Sequence, residues 1–275
     1  MNSDPIWKYA ALVSYVGTRY CGWQKQKGSA AEGAPSIQET IDLCLRKMTQ
    51  EPEAKVVGSG RTDSGVHATG QVMHFVLRRK PWNPDILLKG LNGLLPRDIQ
   101  VLAVREIPIE FHAQKSAEKK QYSYYFQQGA ASVPSQEPLS RWIRKRLDLA
   151  AMQDAVSRLV GEHNYKPFQA RGAKVGTTVR RILEAEITEL PLPFPGSTPV
   201  PSNPVTLVRV RIVGTGFLKQ MVRGIAGTLL QVGEGRRPSS CMSEILATQD
   251  RNLVGPTAPA RGLWLERVWY PGVEW

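Results

Sequence analysis

Between residues 58 and 72 the chain reads Gly58-Ser59-Gly60-Arg61-Thr62-Asp63-Ser64-Gly65-Val66-His67-Ala68-Thr69-Gly70-Gln71-Val72, its densest concentration of residues able to do chemistry. Four glycines, at 58, 60, 65 and 70, fall between an apolar run at Val56-Val57 and another from Gln71 to Leu77. Such a loop lets backbone approach a ligand closely, because glycine has no Cβ and tolerates positive φ. Within it stands one carboxylate two residues from a guanidinium, Arg61-x-Asp63. Spacing alone leaves two readings open. In the first, Asp63 caps a turn and Arg61 is a surface cation. In the second, guanidinium groups keep one carboxylate ionised and oriented, and an ionised Asp is a nucleophile or a base.

Other chemistries fail on the same residues. A dinucleotide loop counted from Gly58 would need glycine where Asp63 stands, and a phosphate loop would need Lys where Val66 follows Gly65. Ser64 lacks the flanking glycines of a nucleophile elbow, since Thr62 precedes the Asp. The four histidines, at 67, 74, 112 and 163, show no metal-ligand spacing. Cys21, Cys44 and Cys241 are far apart and odd in number, which fits a reducing compartment and neither a zinc ribbon nor a disulfide scaffold. No metal and no cofactor are expected.

The chain has 275 residues, of which 36 are Lys or Arg and 24 Asp or Glu, giving a net charge of +12. An excess of that size favours a polyanionic partner, nucleic acid or an anionic membrane. No apolar run approaches the roughly 18 to 20 residues of a spanning helix, and the first residues lack the pattern of a secretory signal. We expect a cytoplasmic protein with no membrane partner. The cations cluster in the second half: Arg141, Arg144, Lys145 and Arg146; then Lys166, Arg171, Lys174, Arg180 and Arg181; then Arg209, Arg211, Lys219, Arg223, Arg236 and Arg237. Interleaved with Tyr165, Phe168 and Phe217, these runs fit a phosphate-binding surface.

The elements that must position the loop follow from periodicity. Strands are predicted at 7–15, around 56–57, at 71–77 and at 99–107, with helices opened by Ser36-Ile37-Gln38-Glu39, a capping box, and by Asn83-Pro84. The order repeats with strands at 121–127, 179–187, 205–213 and 263–270, helices at 148–160 and 217–232, and a short extra helix at 240–248. A loop at 27–35 and a connector at 191–204 carrying six prolines complete the chain. The fold class expected is α+β: two fused ferredoxin-like, RNA-recognition-like β-α-β-β-α-β halves, residues 1–112 and 113–275, forming a broad, mainly antiparallel sheet.

Gly58 to His67 closely resembles the signature of the TruA family of tRNA pseudouridine synthases. Phe111-His112-Ala113 with Tyr122-Ser123-Tyr124 resembles a second family motif. Gly216-Phe217-Leu218, Met221-Val222-Arg223 and Gly227 to Gly233 resemble a third, and Ala258 to Leu263 the closing segment. The resemblance implies isomerisation of uridine to pseudouridine at positions 38, 39 and 40 of the tRNA anticodon stem-loop, by a homodimer. It implies Asp63 as the catalytic carboxylate, acting on the sugar, on the base or as a base. It implies Tyr122 stacked on the flipped target base, Arg223 paired with the Asp across a central active-site cleft between the halves, and Arg61 holding the flipped nucleotide's place or its phosphate. Leu218 and Met221 would shape an apolar wall. The chain departs from the family at Gln114-Lys115, where Arg-Phe is common, at Gln121 and Ser123, where a more basic run is usual, and at Lys166-Pro167. These touch expected RNA contacts and leave Asp63, Tyr122 and Arg223 in place.

Two other classes compete. A non-catalytic RNA-binding protein explains the charge and the aromatics, but not an acid inside a glycine-rich loop, where it would repel phosphate. A methyltransferase-like enzyme would need a glycine-rich strand-to-helix turn that the sequence lacks.

Overall fold

A computed structural model describes residues 5–24, 33–173, 175–192 and 205–275. Most of the loop at 27–35, the proline-rich connector from 193 to 204, Lys174 and the first four residues lie outside that description. The chain divides into two compact units, one of residues 1–118 with 265–275 and the other of residues 119–264. The expected boundary at 112/113 differs from this division in the short segment that follows it and in the final strand.

In the first unit, β1 (Trp7–Tyr15) is central, with β4 (Ile99–Glu106) on one side and β3 (His67–Leu77) on the other, both antiparallel. The short β2 (Val57–Gly58) pairs with β3, and β10 (Leu263–Trp269) lies along the other flank of β3. Helix α1 (Ile37–Thr49) starts where Ser36 accepts a hydrogen bond from the Glu39 amide, and α2 (Pro84–Leu94) where Asn83 accepts from Asp85. Each cap satisfies an amide the helix leaves unpaired. Ile37, Ile41 and Leu45 of α1 are buried with Leu87 and Leu91 of α2, while Leu43 and Ile86 stay in solvent.

In the second unit, β5 (Lys119–Gln128), β9 (Thr206–Gly214), β8 (Val179–Pro191) and β7 (Gly161–Asn164) follow one another antiparallel, and β6 (Arg141–Ile143) runs parallel to β5. Tyr122, Tyr124 and Phe126 stand opposite Ile212, Val210 and Val208, so one face is apolar, and Arg209 and Arg211 point to the other. Helix α4 (Met221–Gly233) is buried along nearly its whole length and packs on β5 and on α3 (Leu149–Ser157). Each of Ile225, Leu229 and Leu230 removes enough apolar surface from water to contribute about 1.5–3 kcal/mol. Helix α5 (Cys241–Thr248) packs on α3.

The expected helix at 217–232 begins four residues late. Gln220 takes a left-handed backbone, φ 62°, and the preceding turn is tied by the bond from the Met221 amide to the Leu218 carbonyl and from the Ala170 amide to Lys219. Apolar periodicity runs through such a turn unbroken, which is why the sequence merges the two. Strand β3 begins four residues earlier than expected, because Ala68 still pairs with Tyr15. Among the described residues no helix is long and apolar enough to cross a membrane.

Candidate functional site

The loop carrying Asp63 leaves the sheet at Gly58, and each of the next residues is fixed. The Ser59 amide donates to the Val72 carbonyl at 2.7 Å, and its hydroxyl donates to Gln71 Oε1 at 2.7 Å. Gln71 Nε2 donates to the Gly60 carbonyl at 3.0 Å. Thr62 is buried, with Oγ1 2.8 Å from the Tyr15 hydroxyl, and its carbonyl accepts from the Trp23 amide. A side chain at Gly22, φ 107°, would meet that carbonyl at 2.6 Å, so only glycine lets the two backbones approach. Asp63 then opens a turn closed by the bond from the Val66 amide to its own carbonyl. Gly65, φ 77°, supplies the left-handed third position of that turn. The Ser64 hydroxyl donates to the Tyr20 carbonyl, and buried His67 Nδ1 accepts from the Gly17 amide at 3.0 Å, which places the proton of neutral His67 on Nε2. The result is a half-buried carboxylate on a rigid turn, with Arg61 exposed beside it. The backbone of Asp63 builds the turn.

The Phe111-His112-Ala113 motif is a joint in the same unit. The Ala113 amide donates to His74 Nδ1 at 3.1 Å, and its carbonyl accepts from the Tyr270 hydroxyl at 2.6 Å. Phe111 packs its ring 5.0 Å from Tyr270, and His112 lies 4.7 Å from the His74 ring. Burial, with Lys8 and His112 nearby, pushes His74 down to about 4. Neutral His74 accepts the Ala113 bond and imidazolium cannot. The unfolded chain takes up this proton near pH 6.5 and the folded one near 4, so stability is full above 6.5 and is lost as pH falls between them. His74→Asn is expected to lose about 2 kcal/mol less than the parent between pH 7 and pH 5, measured by urea unfolding at the two values. Equal losses would remove His74 as the acid-sensitive group.

In the second unit, Tyr122 is 8% exposed on the apolar face of β5 and meets the edge of Phe217, centroids 4.9 Å apart at 73°. Lys120 shares its face two residues away, and burial lowers that amine to about 8. Neither Phe217 as the neighbour of Tyr122 nor the burial of Lys120 was legible in the sequence. Tyr124 donates to the Pro259 carbonyl at 2.9 Å and holds the closing segment. Arg223 sits in the first turn of α4, where its Nε donates to the Ala258 carbonyl at 2.7 Å and the Ala258 amide returns a bond to its carbonyl. That turn carries no acid and no side-chain cap. A cation at a helix N-terminus adds to the positive end of the dipole and costs about 0.3–1 kcal/mol. Leu218 is nearly buried in the turn before α4, and Met221 is wholly buried at its first position.

The basic runs are partly neutralised at home. Arg211 pairs with Glu184 at 2.7 Å and Glu186 at 3.7 Å, Arg146 with Glu189 at 3.2 Å, and Arg236 with Glu234. Among the described residues no group of three His, Cys, Asp or Glu could hold a metal ion.

Residues 11–114 and 155–271 match a family model described as tRNA pseudouridine synthase. A tRNA pseudouridine synthase A of Lactococcus lactis is 36% identical over 263 residues, 96% of this chain and 97% of that protein. Those of Ruminiclostridium cellulolyticum, 38% identical over 96% of this chain and 99% of that protein, and Geobacillus kaustophilus, 36% over 94% and 93%, are similar throughout.

Proposed function

From the premise that the chain belongs to the TruA family of tRNA pseudouridine synthases and is an isomerase, we propose that it converts uridines 38, 39 and 40 of the tRNA anticodon stem-loop to pseudouridine, with Asp63 as catalytic carboxylate. The N1–C1′ bond breaks, the uracil turns, C5 bonds to C1′, the C5 hydrogen leaves as a proton and N1 takes up a proton from water. Nothing is oxidised or reduced, and the reaction consumes no cofactor. Asp63 attacks the sugar, attacks the base or removes a sugar proton. Tyr122 stacks on the flipped base, whose π-face has lost its duplex neighbours. Arg223 pairs with Asp63, Arg61 holds the flipped nucleotide's place or its phosphate, and Leu218 and Met221 back the apolar wall.

The observation that carries this reading is the turn at 63–66. Its neighbours on both sides are clamped by buried partners, and the side chain so presented is a carboxylate. The strand order β4-β1-β3 with β2 beside β3 in the first unit, and β5-β9-β8 in the second, supports ferredoxin-like halves. We further propose a homodimer acting in the cytoplasm. Incubation of unmodified tRNA with the purified protein, followed by carbodiimide mapping, tests the assignment. Adducts at 38, 39 and 40 are expected, and adducts elsewhere alone would overturn it.

Binding is expected to be strongly salt-dependent. Each phosphate neutralised lowers log affinity by about 0.7 to 0.9 per unit of log salt, and about five contacts give a slope near −4. Charge reversal across Arg141, Arg144 and Lys145 is expected to weaken all tRNAs alike, since phosphate contacts carry no sequence. Titration at several salt concentrations decides: a flat response would show that these cations do not face RNA.

A further inference from the structure

Beneath the Asp63 loop lies a buried polar network that the chemistry above does not use. Gln71 stands on β3 with no exposure, and its carboxamide is spent on the loop. Oε1 accepts from Ser59 and Nε2 donates to the Gly60 carbonyl. Tyr15 meets Thr62 at 2.8 Å. One planar amide thereby links residues 59 and 60 while Tyr15 holds 62, the segment that sets where Asp63 begins its turn.

The physical case is one of precision. A carboxamide is the neutral group that offers an acceptor and two donors in one fixed plane. Buried polar groups of this kind are costly unless every member is satisfied, and satisfied they specify one arrangement. A catalytic group displaced by about 1 Å loses on the order of 10²-fold in rate even when binding is intact. We propose that Gln71 is a positioning residue for Asp63: it fixes the loop at Ser59 and Gly60 so that the carboxylate is held in its productive place. The proposal rests on the reading of Asp63 as the catalytic carboxylate.

Gln71→Met keeps the volume and removes the amide. In single-turnover and steady-state tritium release from tRNA labelled at uridine C5, its kcat is expected to fall 10- to 100-fold, with KM and tRNA affinity within about threefold. Asn92 provides a control. Its side chain makes two bonds at 2.8 Å to Val101 on β4, which is separated from β3 by β1, and Asn92→Ala is expected to lower the melting temperature without changing kcat. A Gln71→Met protein with kcat within twofold of the parent would overturn the proposal. So would a loss only in melting temperature, matching Asn92→Ala. If Gln71→Met does not fold, Ser59→Ala and Tyr15→Phe each remove one clamp and leave the others. Each is expected to lower kcat three- to tenfold at constant KM, and parental kcat in both would overturn it equally. Asp63→Asn, run alongside, separates the two claims. An active Asp63→Asn enzyme refutes the role of Asp63 itself, whereas an inactive one beside an unaffected Gln71→Met refutes only the role of Gln71.

Discussion

Asp63→Asn is expected to lower kcat for pseudouridine formation by at least about 10³-fold while leaving tRNA affinity within about tenfold. The amide has the shape of the carboxylate and none of its nucleophilicity or basicity. The turn at this position is closed by the Asp63 main-chain carbonyl and the Val66 amide, which the substitution leaves alone. Loss of a negative charge beside a phosphate chain would tighten binding if it changed it at all. Gel-shift affinity and tritium release on the same preparation separate the two effects. Residual turnover above a few per cent would take Asp63 out of the chemistry, and a joint loss of binding and turnover in a folded protein would make it structural.

Arg223→Ala is expected to cost about 10²-fold in kcat, the size seen when one preorganised charge is taken from an active site. Its effect on stability is expected to be small, roughly 1 kcal/mol, because two terms oppose. The charged bond to the Ala258 carbonyl is lost, and the repulsion between a cation and the N-terminus of α4 is relieved. Arg223→Lys should restore only part of the rate, since one ammonium has to replace a planar guanidinium fork whose Nε bonds Ala258. Kinetics and thermal unfolding on both variants check this. A large stability loss with normal kcat in the folded fraction would reduce Arg223 to a clasp for the closing segment.

The parts of this molecule legible in the sequence are those written locally. Ser36 with Glu39 and Asn83 with Pro84 marked two helix starts, because a cap is made by residues two or three apart. Asp63 stood out because its loop is continuous in sequence. The clamps on that loop did not stand out: Tyr15 and Thr62 are 47 residues apart. Gln71 lay inside the motif, yet a glutamine opening an apolar strand carries no sign that its amide faces inward. Strands β6 and β7, three and four residues long, are too short for an alternation to read. The charge runs could be counted but not weighed. Arg211 lies in a basic strand whose neighbour supplies Glu184 and Glu186, an arrangement set by the β8–β9 register.

The central claim is that this chain carries out the isomerisation, and that Asp63 makes it possible. Release of tritium from tRNA labelled at uridine C5 measures it most directly, since C5 cannot bond to C1′ and keep its hydrogen. The purified protein is expected to release one tritium per pseudouridine formed, over many turnovers, with no added metal or cofactor, and Asp63→Asn none. Tight tRNA binding without tritium release by the parent protein, or equal release by Asp63→Asn, would contradict the account.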